Sequence, residues 1–278
     1  MKKLDLKKEL KRLYRPSAKK VEVVNVPQFN FAMIDGQFKM EESPETSPDF
    51  QDALRAVYGV AYTLKFMSKL RQRNPIDYPV MALEGLWWAE SGEFNFAQRK
   101  NWRWTLMIMQ PRHITAKMYQ AALEQLKAKK DNPALARLRW ESFREGLCIQ
   151  IMHVGPYSEE PRTIERLKTF ARESGYTLRG KHHEIYLGDP RRARPEKLQT
   201  VLRYPVAKGP TIREANSGLL EMLESDALND RLAAIQALGE SGDKEALAAL
   251  RKRLARVSKE MVALVAAAGK LKKQLGVK

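Results

Sequence analysis

The sequence predicts an α+β fold: two β-α-β-β modules in pseudo-twofold arrangement forming a ligand cleft, followed by a C-terminal α-helical segment. Three observations predict it. The order strand, helix, strand, strand is read twice between residues 20 and 206. β-branched and aromatic residues, which favour strands, are concentrated in that stretch. After Lys208-Gly209-Pro210 the composition turns to Ala, Leu, Glu and Lys, with no Trp, Tyr or Phe from Thr211 onward. The expected divisions are a basic extension at 1–19, a main domain at 20–206 and a helical appendage at 211–278.

The first module opens with Val21-Glu22-Val23-Val24-Asn25-Val26-Pro27 and continues through Phe29, Phe31 and Met33 to the turn signal Asp35-Gly36, which reads as one strand. Glu41 to Pro48 is acidic and carries two prolines, so it should be a loop leading to a helix capped near Ser47 or Asp49. From Phe50 to Arg73, Leu54, Val57, Tyr58, Ala61, Leu64, Met67 and Leu70 keep spacings of three and four, giving one long amphipathic helix ended by Asn74-Pro75. Strands Pro79 to Glu90 and Asn101 to Pro111 follow, joined by a loop containing Ser91-Gly92. Thr115 to Gly146 reads as a spacer of two helices divided at Asp131-Asn132-Pro133.

The second module is strand Leu147 to Val154, turn Gly155-Pro156, helix Arg162 to Ser174, strand Tyr176 to Leu187 and strand Thr200 to Val206. Two such modules should bury one sheet face under helices and leave the other to line a shared groove. In the appendage, the helix Asn229 to Gly239, the turn Gly242-Asp243 and the residues Ala246, Leu247, Leu250 and Leu254 resemble one HEAT-type repeat. A single repeat cannot bury both faces, so it should dock on the main domain or on another chain. Docking on another chain would make the C-terminal helices the site of a protein partner.

A net charge of +17 suggests nucleic acid only if it is gathered on one face. Here +7 falls in residues 1–20 and +8 in 251–278, which leaves +2 for the body between them. The body is nearly neutral, so no specific nucleic-acid partner is expected. No apolar run approaches the ~18 residues of a membrane helix, and charges recur from Lys2 before any apolar core of a secretory signal develops. No membrane association is expected, and the cytoplasm is the expected location. The single cysteine, Cys148, reads as a small buried residue of a strand.

Period-two alternation puts His182, Glu184 and Tyr186 on one strand face and His183, Ile185 and Leu187 on the other. A mid-strand carboxylate is either a solvated edge group or a cleft group among aromatic neighbours, since burial costs free energy unless the charge is solvated, paired or used. Trp102 and Trp104, two apart, share a face, whereas Trp87 and Trp88 diverge, and Trp88 is the one expected in the cleft. Clustered indoles are ordinarily core, yet they also grip flat or cationic ligands. His182-His183 diverge and have no third ligand at suitable spacing, so no metal is expected. No phosphate-cradling glycine loop is present, and no cofactor is expected.

Four segments together resemble the GyrI-like small-molecule-binding family, in particular its stand-alone members similar to cyclopropanoid hydrolases. They are Leu83-Glu84-Gly85-Leu86-Trp87-Trp88, Trp102 to Ile108, His153-Val154-Gly155-Pro156-Tyr157 and His182 to Pro190. The resemblance implies that Glu184 lies in a central cleft, where regulatory members bind cationic drugs and hydrolytic members promote attack by water. It implies Glu184 and Tyr157 as catalytic residues, and a site bordered by Trp88, Trp102, Trp104, Tyr58, Tyr186 and His182. The expected ligand is a planar hydrophobic or cationic small molecule. The expected activity is opening of the cyclopropane of planar electrophilic genotoxins, giving self-protection or detoxification. The alternatives are sequestration of hydrophobic cations without turnover, or a ligand-sensing or interaction module.

Overall fold

The computed structural model describes residues 1–39, 42–89, 102–190, 192–209, 212–240 and 244–274. The element order begins β1 (Lys2–Lys3), α1 (Leu6–Glu9), α2 (Lys11–Tyr14), β2 (Glu22–Gln37), α3 (Pro48–Leu70), β3 (Ile76–Asp77), β4 (Leu83–Ala89) and β5 (Trp102–Gln110). It continues α4 (Ala116–Lys127), β6 (Arg139–Val154), α5 (Glu160–Glu173), β7 (Tyr176–Leu178), β8 (His182–Tyr186), β9 (Gln199–Lys208), α6 (Ile212–Leu223), α7 (Leu228–Glu240) and α8 (Lys244–Gln274). The two modules are β2-α3-β4-β5 and β6-α5-β8-β9, and the fold is α+β.

The strands run β6-β2-β5-β4-β8-β9-β7, and β6 also pairs with β9, so six of them close into a barrel-like sheet. Every pairing around that ring is antiparallel. Closure satisfies backbone groups that an open edge would expose. α3 begins where the sequence places its cap: the Ser47 hydroxyl accepts from the Phe50 N–H, and Pro48 stands in the first turn. Its stripe of Ala53, Ala56, Val57, Val60, Ala61 and Leu64 is buried.

Two elements differ from expectation. The second spacer helix does not form: a short 3-10 turn, Pro133–Arg137, leads directly into β6, which starts at Arg139. Its first half pairs with β2 from Met33↔Arg139 to Val26↔Gly146, and Phe143 packs edge-on against Phe31. Strand pairing overrides the helix-like spacing of Leu135, Leu138 and Phe143 because long-range hydrogen bonds and cross-strand contacts outweigh local propensity. The strand expected at 176–187 is divided into β7 and β8, because Arg179 turns away to donate to the carbonyls of Glu145 and Val206. The Ser91-Gly92 loop and the Gly242-Asp243 turn lie outside the described residues.

The chain divides into two compact units, 1–171 with 177–207, and 172–176 with 208–278. The first contains residues 1–19, where Leu13 and Tyr14 are buried and β1 pairs in parallel with β3. The second has its own core of Leu223, Ala234, Leu238 and Ala246. Among the described residues no helix is long and apolar enough to cross a membrane.

Candidate functional site

Directly opposed residues of an antiparallel pair share a sheet face. The registers Gly85↔Glu184, Trp87↔His182 and Tyr186↔Thr200 therefore gather those six residues on one face, and Trp87↔Trp104 and Ala89↔Trp102 add both indoles of β5. This is the face that carries the helices. Phe50 of α3 stacks on Trp87 and meets Trp104 edge-on. On β6, His153 lies opposite Thr200 and hydrogen-bonds Thr163 of α5 at 2.9 Å. The expectation of a groove on the helix-free face is thus corrected: Glu184 faces the helices, and the other face is closed by the N-terminal residues Leu13 and Tyr14.

Glu184 is only 7% exposed. Its Oε1 lies 3.0 Å from His182 Nε2, and its Oε2 accepts from the Tyr186 hydroxyl at 2.6 Å. Trp87 Nε1 donates to the same hydroxyl at 3.1 Å, completing a chain from indole to phenol to carboxylate. Such partners are what make a buried carboxylate tolerable. Burial, and then the Glu184 charge, raise the Tyr186 hydroxyl well above its ordinary range, so it stays protonated and donating. The Tyr157 ring meets that of Tyr186 edge-on at 5.9 Å. Burial and the neighbouring Glu160 and Glu184 push the Tyr157 hydroxyl up to about 12, which makes it a donor rather than a base near neutral pH. Tyr58 of α3 acts on the same hydroxyl and so shares this side.

Gly85 stands opposite Glu184 because a side chain would obstruct this chain of contacts. A Cβ there would lie 2.8 Å from Trp87 Nε1 and 3.2 Å from the Tyr186 hydroxyl. We expect Gly85→Ala to push both rings aside at a cost of about 1–3 kcal/mol. A lower urea midpoint together with shifted tryptophan emission is the check; unchanged emission contradicts the crowding.

The expected residues fare differently. His182 and Tyr186 touch Glu184, with Tyr157 and Tyr58 beside them. Trp102 and Trp104 share the face as their spacing predicts, but Trp104 is completely buried against Gly36, Phe38 and Phe50 and forms the core beneath the site. Trp88 points to the opposite face, where the Lys181 ammonium lies 3.3 Å from its ring centroid. The pleat gives the position near Glu184 to Trp87 instead. Sequence reading also missed Glu160, 3% exposed at the start of α5. The available signal was its i, i+3 spacing from Tyr157 at a helix start, which puts both on one side of the turn.

The helix-free face holds a second polar cluster that the sequence did not reveal. His183 lies between two carboxylates, with Nε2 at 3.0 Å from Glu84 and Nδ1 at 3.0 Å from Glu145. Arg203 donates to Glu145 at 3.1 Å, Gln150 at 3.1 Å and the Leu13 carbonyl at 2.9 Å, and Tyr14 donates to Glu84 at 2.7 Å. Strict alternation would put Glu145 and Gln150 on opposite faces. Gly146, with φ of 77°, interrupts it and lets both reach Arg203. A cavity of about 10 Å³ adjoins the cluster, too small for an organic ligand.

Residues 19–207 match the model of the GyrI-like small molecule binding domain. Among solved structures, the chain is similar to an uncharacterized conserved protein from Listeria innocua, at 39% identity and a TM-score of 0.67, over 73% of this chain and 100% of that one. It is also similar to two structures named as hydrolases from Listeria innocua. One is 39% identical with a TM-score of 0.66, over 74% of this chain and 100% of that one. The other is 38% identical with a TM-score of 0.63, over 73% and 100%. No curated protein matches the chain.

Proposed function

The chain belongs to the GyrI-like small-molecule-binding domain family, and from that premise we propose that it hydrolyses planar electrophilic small molecules by opening a strained cyclopropane ring. The observation that carries this reading is the Glu184 carboxylate, nearly buried yet held in place by His182 and Tyr186. A carboxylate fixed in one orientation among aromatic walls is placed to take a proton from a bound water. Tyr157 supplies a neutral donor beside it, and Tyr58 and Trp87 supply flat apolar surface for a planar ring system. The similar structures named as hydrolases support the same reading. In a cell that meets such genotoxins, this activity would serve self-protection or detoxification.

A sequestering protein would use the same carboxylate as counter-ion to a hydrophobic cation. Turnover separates the two. Incubation with a cyclopropane-bearing DNA alkylator should yield a product heavier by one water, seen by mass spectrometry at substoichiometric protein. Recovery of the intact alkylator, together with tight binding of a simple lipophilic cation, would establish sequestration in its place.

A further inference from the structure

We propose that α8 binds a second copy of this chain, its exposed half lying antiparallel along the first half of the other copy's α8 about a twofold axis. The pairing is independent of the Glu184 site. α8 has 31 residues, whereas α6 and α7, which pack on it, have 12 and 13. At 1.5 Å per residue they run for about 20 Å beside a helix of about 46 Å, so half of α8 outruns its own hairpin. Ala246, Ala249 and Leu250 pack with α6 and α7, but every residue from 254 to 270 is exposed. Leu254, Met261 and Leu264 are 67%, 61% and 70% exposed. A helix draws most of its stability from packing an apolar face, so this half needs a cover.

Leu247, Leu250, Leu254, Val257, Met261 and Leu264 advance by alternating steps of three and four. That is the narrow a/d seam of a coiled coil, and Lys252, Arg256 and Lys259 fall at outer positions away from it. An antiparallel copy centred between Leu254 and Val257 sets Leu254 against Val257, Leu250 against Met261 and Leu247 against Leu264, each twice by symmetry. At the flanking g positions Arg253 then stands beside Glu260 of the second copy, again twice. A parallel pair would set Arg253 against Ser258 and Glu260 against Val265, so charge complementarity selects the antiparallel arrangement. Arg253 also donates to Glu224 at 3.2 Å, and Arg256 donates to the same carboxylate at 2.7 Å. Arg256 therefore keeps Glu224 paired when Arg253 turns towards Glu260.

The hairpin half of the unit is short of cover as well. Leu247 is 49% exposed, and α7, which runs beside this first half of α8, exposes Leu228, Leu232 and Ile235. One copy thus carries both an apolar helix without a groove and an apolar hairpin without a lid, and a twofold brings each to the other. The apolar surface covered is on the order of 600 Å² per copy, approaching the ~800 Å² per partner of a standard stable interface.

Sedimentation of the full chain at micromolar concentration should give twice the 31.9 kDa of one copy. M261E/L264E buries charge in the seam and should raise the dissociation constant by about 10²-fold, whereas A263E, on the outer side, should leave it unchanged. R253E and E260R should each weaken pairing by about tenfold, because each sets like charges together. An equimolar mixture of those two variants should recover the dimer, since every flanking contact in the mixed pair again joins unlike charges. A dimer that M261E/L264E weakens but the mixture does not restore overturns the antiparallel register. A wild type that stays monomeric overturns the pairing itself, and its binding to phosphatidylglycerol/phosphatidylcholine vesicles would give the face to a membrane surface. The M261E/L264E arm stands even if R253E loosens the hairpin at Glu224, because both of its sites are exposed within one copy.

Discussion

Glu184→Gln should reduce kcat/KM for a cyclopropane-bearing alkylator by about 10²–10⁴-fold, the range a positioned general base supplies. Gln keeps the side-chain volume, and its amide oxygen can still accept from the Tyr186 hydroxyl that reaches Glu184 at 2.6 Å. The negative charge is removed, and with it the capacity to take a proton, while an amide group takes the place of the carboxylate. Affinity for a neutral planar ligand should therefore change by no more than a few-fold, so the loss falls on kcat rather than KM. A counter-ion role predicts the opposite division: affinity for a lipophilic cation collapses, while neutral ligands are unaffected. Steady-state kinetics and titration calorimetry on one protein preparation separate these, and a parental rate in E184Q removes Glu184 from the chemistry.

Arg203→Met should destabilise the fold by about 3–5 kcal/mol, the usual cost of leaving a buried charge without its partner. Arg203 is 2% exposed and faces Glu145, itself 3% exposed. Removing the guanidinium leaves two carboxylates to one imidazole and also frees the Leu13 carbonyl, so the N-terminal segment should loosen together with the sheet. Pairing Arg203→Met with Glu145→Gln should recover part of the loss, since an uncharged site is less costly than a half-paired one. Urea unfolding measures both, and a midpoint unmoved by Arg203→Met contradicts the assignment.

The same cluster makes stability depend on pH, with a sign set by its members. Burial opposes a charge on His183, but Glu145 and Glu84 outweigh it and raise the ring from 6.5 to about 9. Its contribution is complete below pH 6.5 and is lost as pH rises through 9. Burial would raise Glu145, but His183 and Arg203 prevail and hold it at about 2 against an ordinary 4.5. Its contribution is complete above pH 4.5 and is lost as pH falls towards 2. The cluster therefore stabilises most between those two ordinary values, and the alkaline decline carries the signature of His183.

Local patterns in the chain determined the module order, the Ser47 cap, the helical stripe of α3, the buried place of Cys148 and the shared face of His182, Glu184 and Tyr186. Each follows from periodicities of about two or 3.6 residues, which are written in the spacing of side chains along one segment. Tertiary structure alone decided the rest. It chose Trp87 over Trp88, because only the register of β4 against β8 says which indole lies beside His182. It turned 139–146 into strand, because only pairing with β2 rewards that conformation. It also brought Glu160 beside Glu184, and Glu84, Glu145, His183 and Arg203 into one cluster. These meetings join residues far apart in the chain, and no local pattern encodes a contact whose energy exists only after the sheet has closed.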